Sequence, residues 1–113
     1  MDLLSHLRGV EDRPITKVHV EEWGCDVYLR PISAMDRMLI ALAAGNERDK
    51  HMIGLMTLAA SLCDEQGGPI SPNRDEVISL LEKRNGAVIE RLVRMCFDIS
   101  GLSENAVENI RKN

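Results

Sequence analysis

The sequence predicts an α+β fold that is mainly α, with an N-terminal β-hairpin packed on a bundle of four or five helices. Three observations lead there. Residues on either side of Trp23-Gly24 alternate in character with the two-residue period of strands. From Ser33 onward, apolar residues recur at the three- and four-residue spacing of amphipathic helices. Gly45, Gly67-Gly68-Pro69, Asn85-Gly86 and Gly101 punctuate those helical stretches. The 113 residues suit one core, and an apolar fraction of 44% is too high for a disordered chain. We read 1–14 as a flexible arm or short helix and 15–113 as a single globular domain, without internal repeats or low-complexity tracts.

Taken in order, Pro14 is followed by Thr16, Val18 and Val20 alternating with Lys17 and His19. Cys25, Val27 and Leu29 then alternate with Asp26, Tyr28 and Arg30. Gly24 supplies the positive φ that a tight turn needs, so Thr16–Val20 should pair with Cys25–Arg30. A lone hairpin is marginal in water and must lie on helices or pair with another strand. Ser33 is a natural N-cap, and Asp36 puts negative charge at the positive end of the helix dipole. Met35, Met38, Leu39 and Leu42 follow at helical spacing, with Gly45 as the expected C′ residue. After the charged connector Asn46–Lys50, a second helix is expected to run to near Cys63. Its apolar residues Met52, Ile53, Leu55, Met56, Leu58 and Leu62 go almost all the way round, so it should be buried centrally or against another subunit. Ser71 or Asn73 should cap a helix over about Pro72–Lys83, with Val77, Ile78 and Leu81 facing inward. The helix after Asn85-Gly86 places Val88, Leu92, Met95 and Ile99 on one stripe, with Ile89 and Cys96 beside it. Gly101 should end it, with Leu102 making the apolar contact beyond the cap and Ser103 starting a last short helix to about Arg111.

Composition excludes several functions. A net charge of −4 and a pI near 5.3 leave no basic footprint for nucleic acid. Trp23, Tyr28 and Phe97 are too few aromatics for a base-stacking platform. The helix–Asn85-Gly86–helix arrangement resembles a helix-turn-helix only superficially. Its second helix opens Gly86-Ala87-Val88-Ile89, which reads no base edge, and residues 82–113 hold six basic residues against five acidic ones. The acidic start at Asp2 and the two-residue apolar run Leu3-Leu4 do not make a signal peptide. The longest uncharged run, Met52–Cys63, is shorter than the roughly 17–25 residues that span a bilayer. Three scattered cysteines suggest neither disulfides nor a metal knuckle, and a reducing cytoplasm is expected. No phosphate loop, HExxH, CxxC or GxSxG occurs. His6, His19 and His51 lack partners at metal-ligand spacing and read as solvated or partly packed, and Asp64-Glu65 reads as a plain turn and not a cation loop. We therefore expect no enzyme, no catalytic residue, no cofactor and no metal, and neither nucleic acid nor membrane as partner.

Besides Met1 there are five methionines, Met35, Met38, Met52, Met56 and Met95, four of them on the two helices flanking Gly45. Methionine fills cores, but its flexibility also suits surfaces that accept varied apolar partners. On that ground Met35, Met38, Leu42, Met52 and Met56 are the candidate protein-binding residues.

Three segments resemble a known family. Val27-Tyr28-Leu29-Arg30-Pro31-Ile32-Ser33-Ala34 is similar to the strand-to-helix step of tail assembly chaperones from long-tailed bacteriophages with non-contractile tails. Leu62 to Ile70 resembles their acidic–glycine–proline turn, and Ser100 to Asn109 their closing helix-turn-helix. In that order the segments span about residues 15–113; Trp23 and Cys25 depart from the pattern, and the first fourteen residues match nothing in it. The resemblance implies a homo-oligomeric chaperone of the host cell cytoplasm that binds and solubilises the tape measure protein, promotes tail tube assembly and is absent from the mature virion. It also implies the tail tube protein as a partner and, by ribosomal frameshifting, a longer form of the same protein, with the chain ending at Asn113 as the shorter one. A small structural adaptor of the head–tail or tail-tip region is the alternative, and a small DNA-binding regulator ranks below it.

Overall fold

The structure is a computed structural model and describes residues 2–102. It begins with a short helix, α1 (Leu3–Gly9), whose first turn is held by the Asp2 carboxylate accepting from the Ser5 amide at 2.7 Å. Strands β1 (Thr16–Val20) and β2 (Cys25–Leu29) then form the expected antiparallel hairpin, with Thr16 opposite Leu29 and Val20 opposite Cys25. A single 3-10 turn, Glu21–Trp23, and Gly24 at φ 64° close it.

The sheet has a third strand that the sequence reading placed in a helix. Helix α3 (Ile53–Ser61) stops two residues before the expected end, and Leu62–Cys63 form β3, antiparallel to β2 with Leu62 opposite Leu29 and Cys63 opposite Tyr28. The cause is a competition for backbone groups. Ser61 carbonyl accepts from the Arg30 amide at 3.0 Å, and Ser61 Oγ donates to the Arg30 carbonyl at 2.7 Å. Once β2 offers its free edge, turning Leu62 to extended geometry satisfies more backbone than another helical turn would. The outcome is a three-stranded antiparallel sheet in the order β1-β2-β3, not a lone hairpin.

Four longer helices complete the described chain. Helix α2 (Ala34–Ala44) is capped by Ser33, whose Oγ accepts from the Asp36 amide at 3.2 Å. Gly45 does not take the left-handed conformation expected of it; its φ is −83°, and the chain leaves α2 through tight turns, Gly45 N to Leu42 O and Asn46 N to Ala43 O. Helix α3 lies at the centre, against α2, α4 (Arg74–Leu81) and α5 (Gly86–Ile99). Asn73 and Asn85 cap α4 and α5, each accepting two backbone amides through its side-chain oxygen. The inward line of α5 is Val88, Leu92 and Cys96, with Ile89, Met95 and Ile99 on its flanks, so Cys96 is the central residue and not the peripheral one expected.

At its end α5 forms a Schellman cap: Gly101 takes φ 69°, Leu102 N donates to Phe97 O at 2.7 Å, and Gly101 N to Asp98 O at 3.3 Å. Leu102 is buried, as its position after the cap predicts. The short helix expected from Ser103 to about Arg111 lies outside the described residues.

Two apolar clusters result. The larger joins Val20 and Leu29 of the sheet to Leu58, Val77, Leu81, Val88, Leu92 and Cys96 of the helices, with Trp23 leaning on it. The smaller joins Ile32, Ile40, Ala60 and Leu102, backed by Ile53, Met56 and Phe97. A bidentate Arg91–Glu22 pair, at 2.8 and 3.0 Å, ties the hairpin turn to α5 across the surface.

Candidate functional site

Helix α2 turns only one narrow side to the protein. Ile40 and Ala43 are buried, and Asp36 on the same side reaches Arg74, whose Nη1 donates to Asp36 Oδ1 at 2.6 Å. Beside that buried side the helix carries Met35, Met38, Leu39 and Leu42, which are 64%, 63%, 50% and 71% exposed. At i, i+3, i+4 and i+7 these four side chains form one unbroken stripe. The two charged residues of the helix, Asp36 and Arg37, both lie off this stripe. Single apolar side chains are commonly scattered over a protein surface, whereas four contiguous ones on one helix face are unusual.

The five residues singled out from sequence divide. Met35, Met38 and Leu42 lie together on this stripe, and Leu39, which was not singled out, lies between them. Met52 and Met56 belong elsewhere: both are half-buried, and Met56 packs on the smaller cluster beneath α2. The second half of helix α3 is enclosed by the fold itself, with Thr57, Leu58, Ala59, Ala60 and Ser61 all buried, and its first turn, Ile53 to Met56, is half-buried. Helix α1 adds a second exposed apolar stripe, Leu3, Leu4 and Leu7, none of which touches the core.

Among the described residues, a histidine–aspartate pair and three cysteines are the titratable groups to consider. His19, left without a partner by sequence spacing, gains one through strand register: its Nδ1 lies 2.7 Å from Asp26 Oδ1 directly across the hairpin. That hydrogen bond, helped by the nearby Lys17 ammonium, holds the Asp26 carboxyl below its ordinary range. The pair sits on the open face of the hairpin, where such cross-strand contacts are common. Burial pushes the Cys96 thiol up to about 11 and raises Cys63, so neither is a thiolate at neutral pH. Cys25 is exposed. Among the described residues no helix is long and apolar enough to cross a membrane.

No protein-family model matches the chain, and no curated protein matches it. Solved structures give a fold likeness. The structure of the bacteriophage HK97 tail assembly chaperone superposes with a TM-score of 0.63 at 22% sequence identity, covering 85% of this chain and 91% of that one. Over most of its length, this chain therefore shares a fold with that protein.

Proposed function

We propose that this protein is a phage tail assembly chaperone that holds the tape measure protein through the apolar stripe of α2. The observation that carries the reading is that stripe, four large apolar side chains left uncovered on a fold shared with the HK97 chaperone. A tape measure protein is long and largely helical, and its own apolar stripes aggregate unless covered. A helix laid along Met35, Met38, Leu39 and Leu42 exchanges water for apolar contact on both sides. Full burial of one such side chain contributes roughly 1.5–3 kcal/mol, so four sustain a weak single contact once association costs are subtracted. Repetition along the client, by a homo-oligomer or an array of subunits, raises that to useful avidity.

In this reading the protein performs no catalysis and takes no cofactor or metal. It acts in the host cytoplasm, helps tail tube subunits gather on the client, works beside a frameshifted longer form of itself and leaves before the virion matures. Neither nucleic acid nor a membrane is a partner. The test is co-expression with the tape measure protein of the same phage, scored for soluble client. Wild type should keep the client soluble, and Met38→Asp with Leu42→Asp should lose it while melting normally. A wild type that keeps no client soluble ends the chaperone reading, and abundant protein in purified virions would move the assignment to a structural adaptor.

A further inference from the structure

A cleft of about 460 Å³ opens between the β2–α2 connection, the 64–73 loop and the start of α4, away from the stripe of α2. Its floor is apolar, built from Ala60, Leu62 and Val77. Three guanidinium groups line it, from Arg13, Arg30 and Arg74, with one acidic residue, Asp36. Asp36 is already engaged by Arg74 at 2.6 Å. Asp64, at the edge of the loop, spends its Oδ1 on the amides of Gln66 and Gly68. The other two arginines have only carbonyls: Arg13 Nε donates to Pro31 O and Arg30 Nη1 to Gly67 O, each at 2.6 Å. Arg30 Nε is buried with no hydrogen-bond partner among the described residues.

The loop is shaped to admit this charge. Gly67 stands at φ 88°, which favours glycine, and its missing side chain leaves room for Arg30 Nη1, which a Cβ would meet at 2.5 Å. Burial, and then the like charge of Arg30, lower the pKa of Arg13, while Asp36 and Asp12 oppose the shift. In a chain with a net charge of −4, a positive cleft is the exception to the prevailing sign. Guanidinium groups in such a place are ordinarily paired, and their fork geometry matches a carboxylate.

We infer that this cleft docks an acidic peptide segment of a partner protein, with one carboxylate taken by Arg13 and Arg30 and a neighbouring apolar side chain seated on Ala60, Leu62 and Val77. The inference stands apart from the reading of α2, and its test uses no tape measure protein. The probe is a fluorescein-labelled peptide of alternating glutamate and leucine, followed by anisotropy on the full chain. Binding should weaken about tenfold in Arg13→Gln, the loss expected for one charge-assisted pair. Asp36→Asn should instead tighten it about threefold, because it frees Arg74 for the ligand, and damage to the fold does not produce a gain. Arg30→Lys should weaken binding while preserving the charge, since it removes the fork. The Met38→Asp, Leu42→Asp variant should bind as wild type does. Equal binding of a glutamine–leucine peptide, or unchanged affinity in Arg13→Gln, would overturn the proposal. So would absence of peptide binding, or binding of inorganic phosphate alone.

Discussion

Helices α2 and α3 are built from nearly the same residues, and the fold treats them in opposite ways. Both are rich in Ala, Leu, Met and Ile, yet α3 is enclosed on most sides while α2 leaves Met35, Met38, Leu39 and Leu42 in solvent. The difference comes from neighbours. Helix α3 has α2, α4 and α5 against it, and its end continues into the sheet through Leu62–Cys63. Helix α2 packs mainly on α3, through Ile40 and Ala43, and otherwise reaches Arg74 of α4 and the small cluster around Leu102. Small residues make the central position possible: Gly54 comes so close to α5 that a Cβ there would lie 3.3 Å from Val93 Cγ1, and Ala59 and Ala60 keep the next turn narrow. Apolar content thus tells that a helix needs cover, while the packing decides whether this chain or another supplies it.

The sharpest way to break the contrast is to damage both helices equally. Leu58→Ala in α3 should cost about 2–5 kcal/mol in urea unfolding, because Leu58 is fully buried and leaves a cavity. Met38→Asp in α2 should stay within about 0.5 kcal/mol of wild type. A large loss at Met38 would mean that the stripe is packed in solution. Met56→Asp, on the side of α3 that meets the smaller cluster, should destabilise strongly, since its carboxylate would have no partner there.

A smaller effect probes the junction where α3 becomes β3. Ser61→Ala removes the hydroxyl that donates to the Arg30 carbonyl and should cost about 1–3 kcal/mol by thermal melting. An unchanged melting temperature would mean that strand pairing alone terminates α3.

Cysteine chemistry marks the same division between inside and outside without altering the fold. With a thiol reagent at pH 8, Cys25 should react promptly, and Cys63 and Cys96 only on unfolding, because both are buried. Prompt reaction of Cys96 would show that the contact between α3 and α5 opens readily.

The smallest effect lies at the surface. The Arg91 guanidinium, hydrogen-bonded to both carboxylate oxygens, holds Glu22 down at about 2. A carboxyl depressed by folding stabilises the protein above its unfolded pKa, and that contribution is lost as pH falls from near 4.5 through about 2. An NMR titration should place the Glu22 inflection near 2 in wild type and return it toward the ordinary carboxylate range in Arg91→Gln. The change in stability should be slight, since the pair is exposed and screened.

Several features were legible in the sequence because their causes are local. Ser33 caps α2, and Asn73, one of two candidates beside Ser71, caps α4, each through atoms two or three residues away. Gly101 and Leu102 close α5 with bonds that reach back no further than Phe97. The hairpin register follows from alternation around Gly24. Within the candidate site, spacing alone grouped Met35, Met38 and Leu42 on one face of a helix. It could not separate them from Met52 and Met56, since being covered or bare depends on which helices arrive from elsewhere in the chain.

The tertiary structure alone decided the rest. Leu62 and Cys63 carry the same apolar signal as the helix before them, and they become a strand because β2, more than thirty residues earlier, offers an unpaired edge. Gly45 is free to take the left-handed cap but leaves α2 with φ −83°. His19 meets Asp26 only once the strands pair, and Arg13, Arg30 and Arg74 converge from three separate segments on one cleft. A residue's immediate neighbours in sequence fix its local conformational preference. Burial, ion pairing and strand partnership are settled by a competition among distant groups, whose outcome depends on how the whole chain closes.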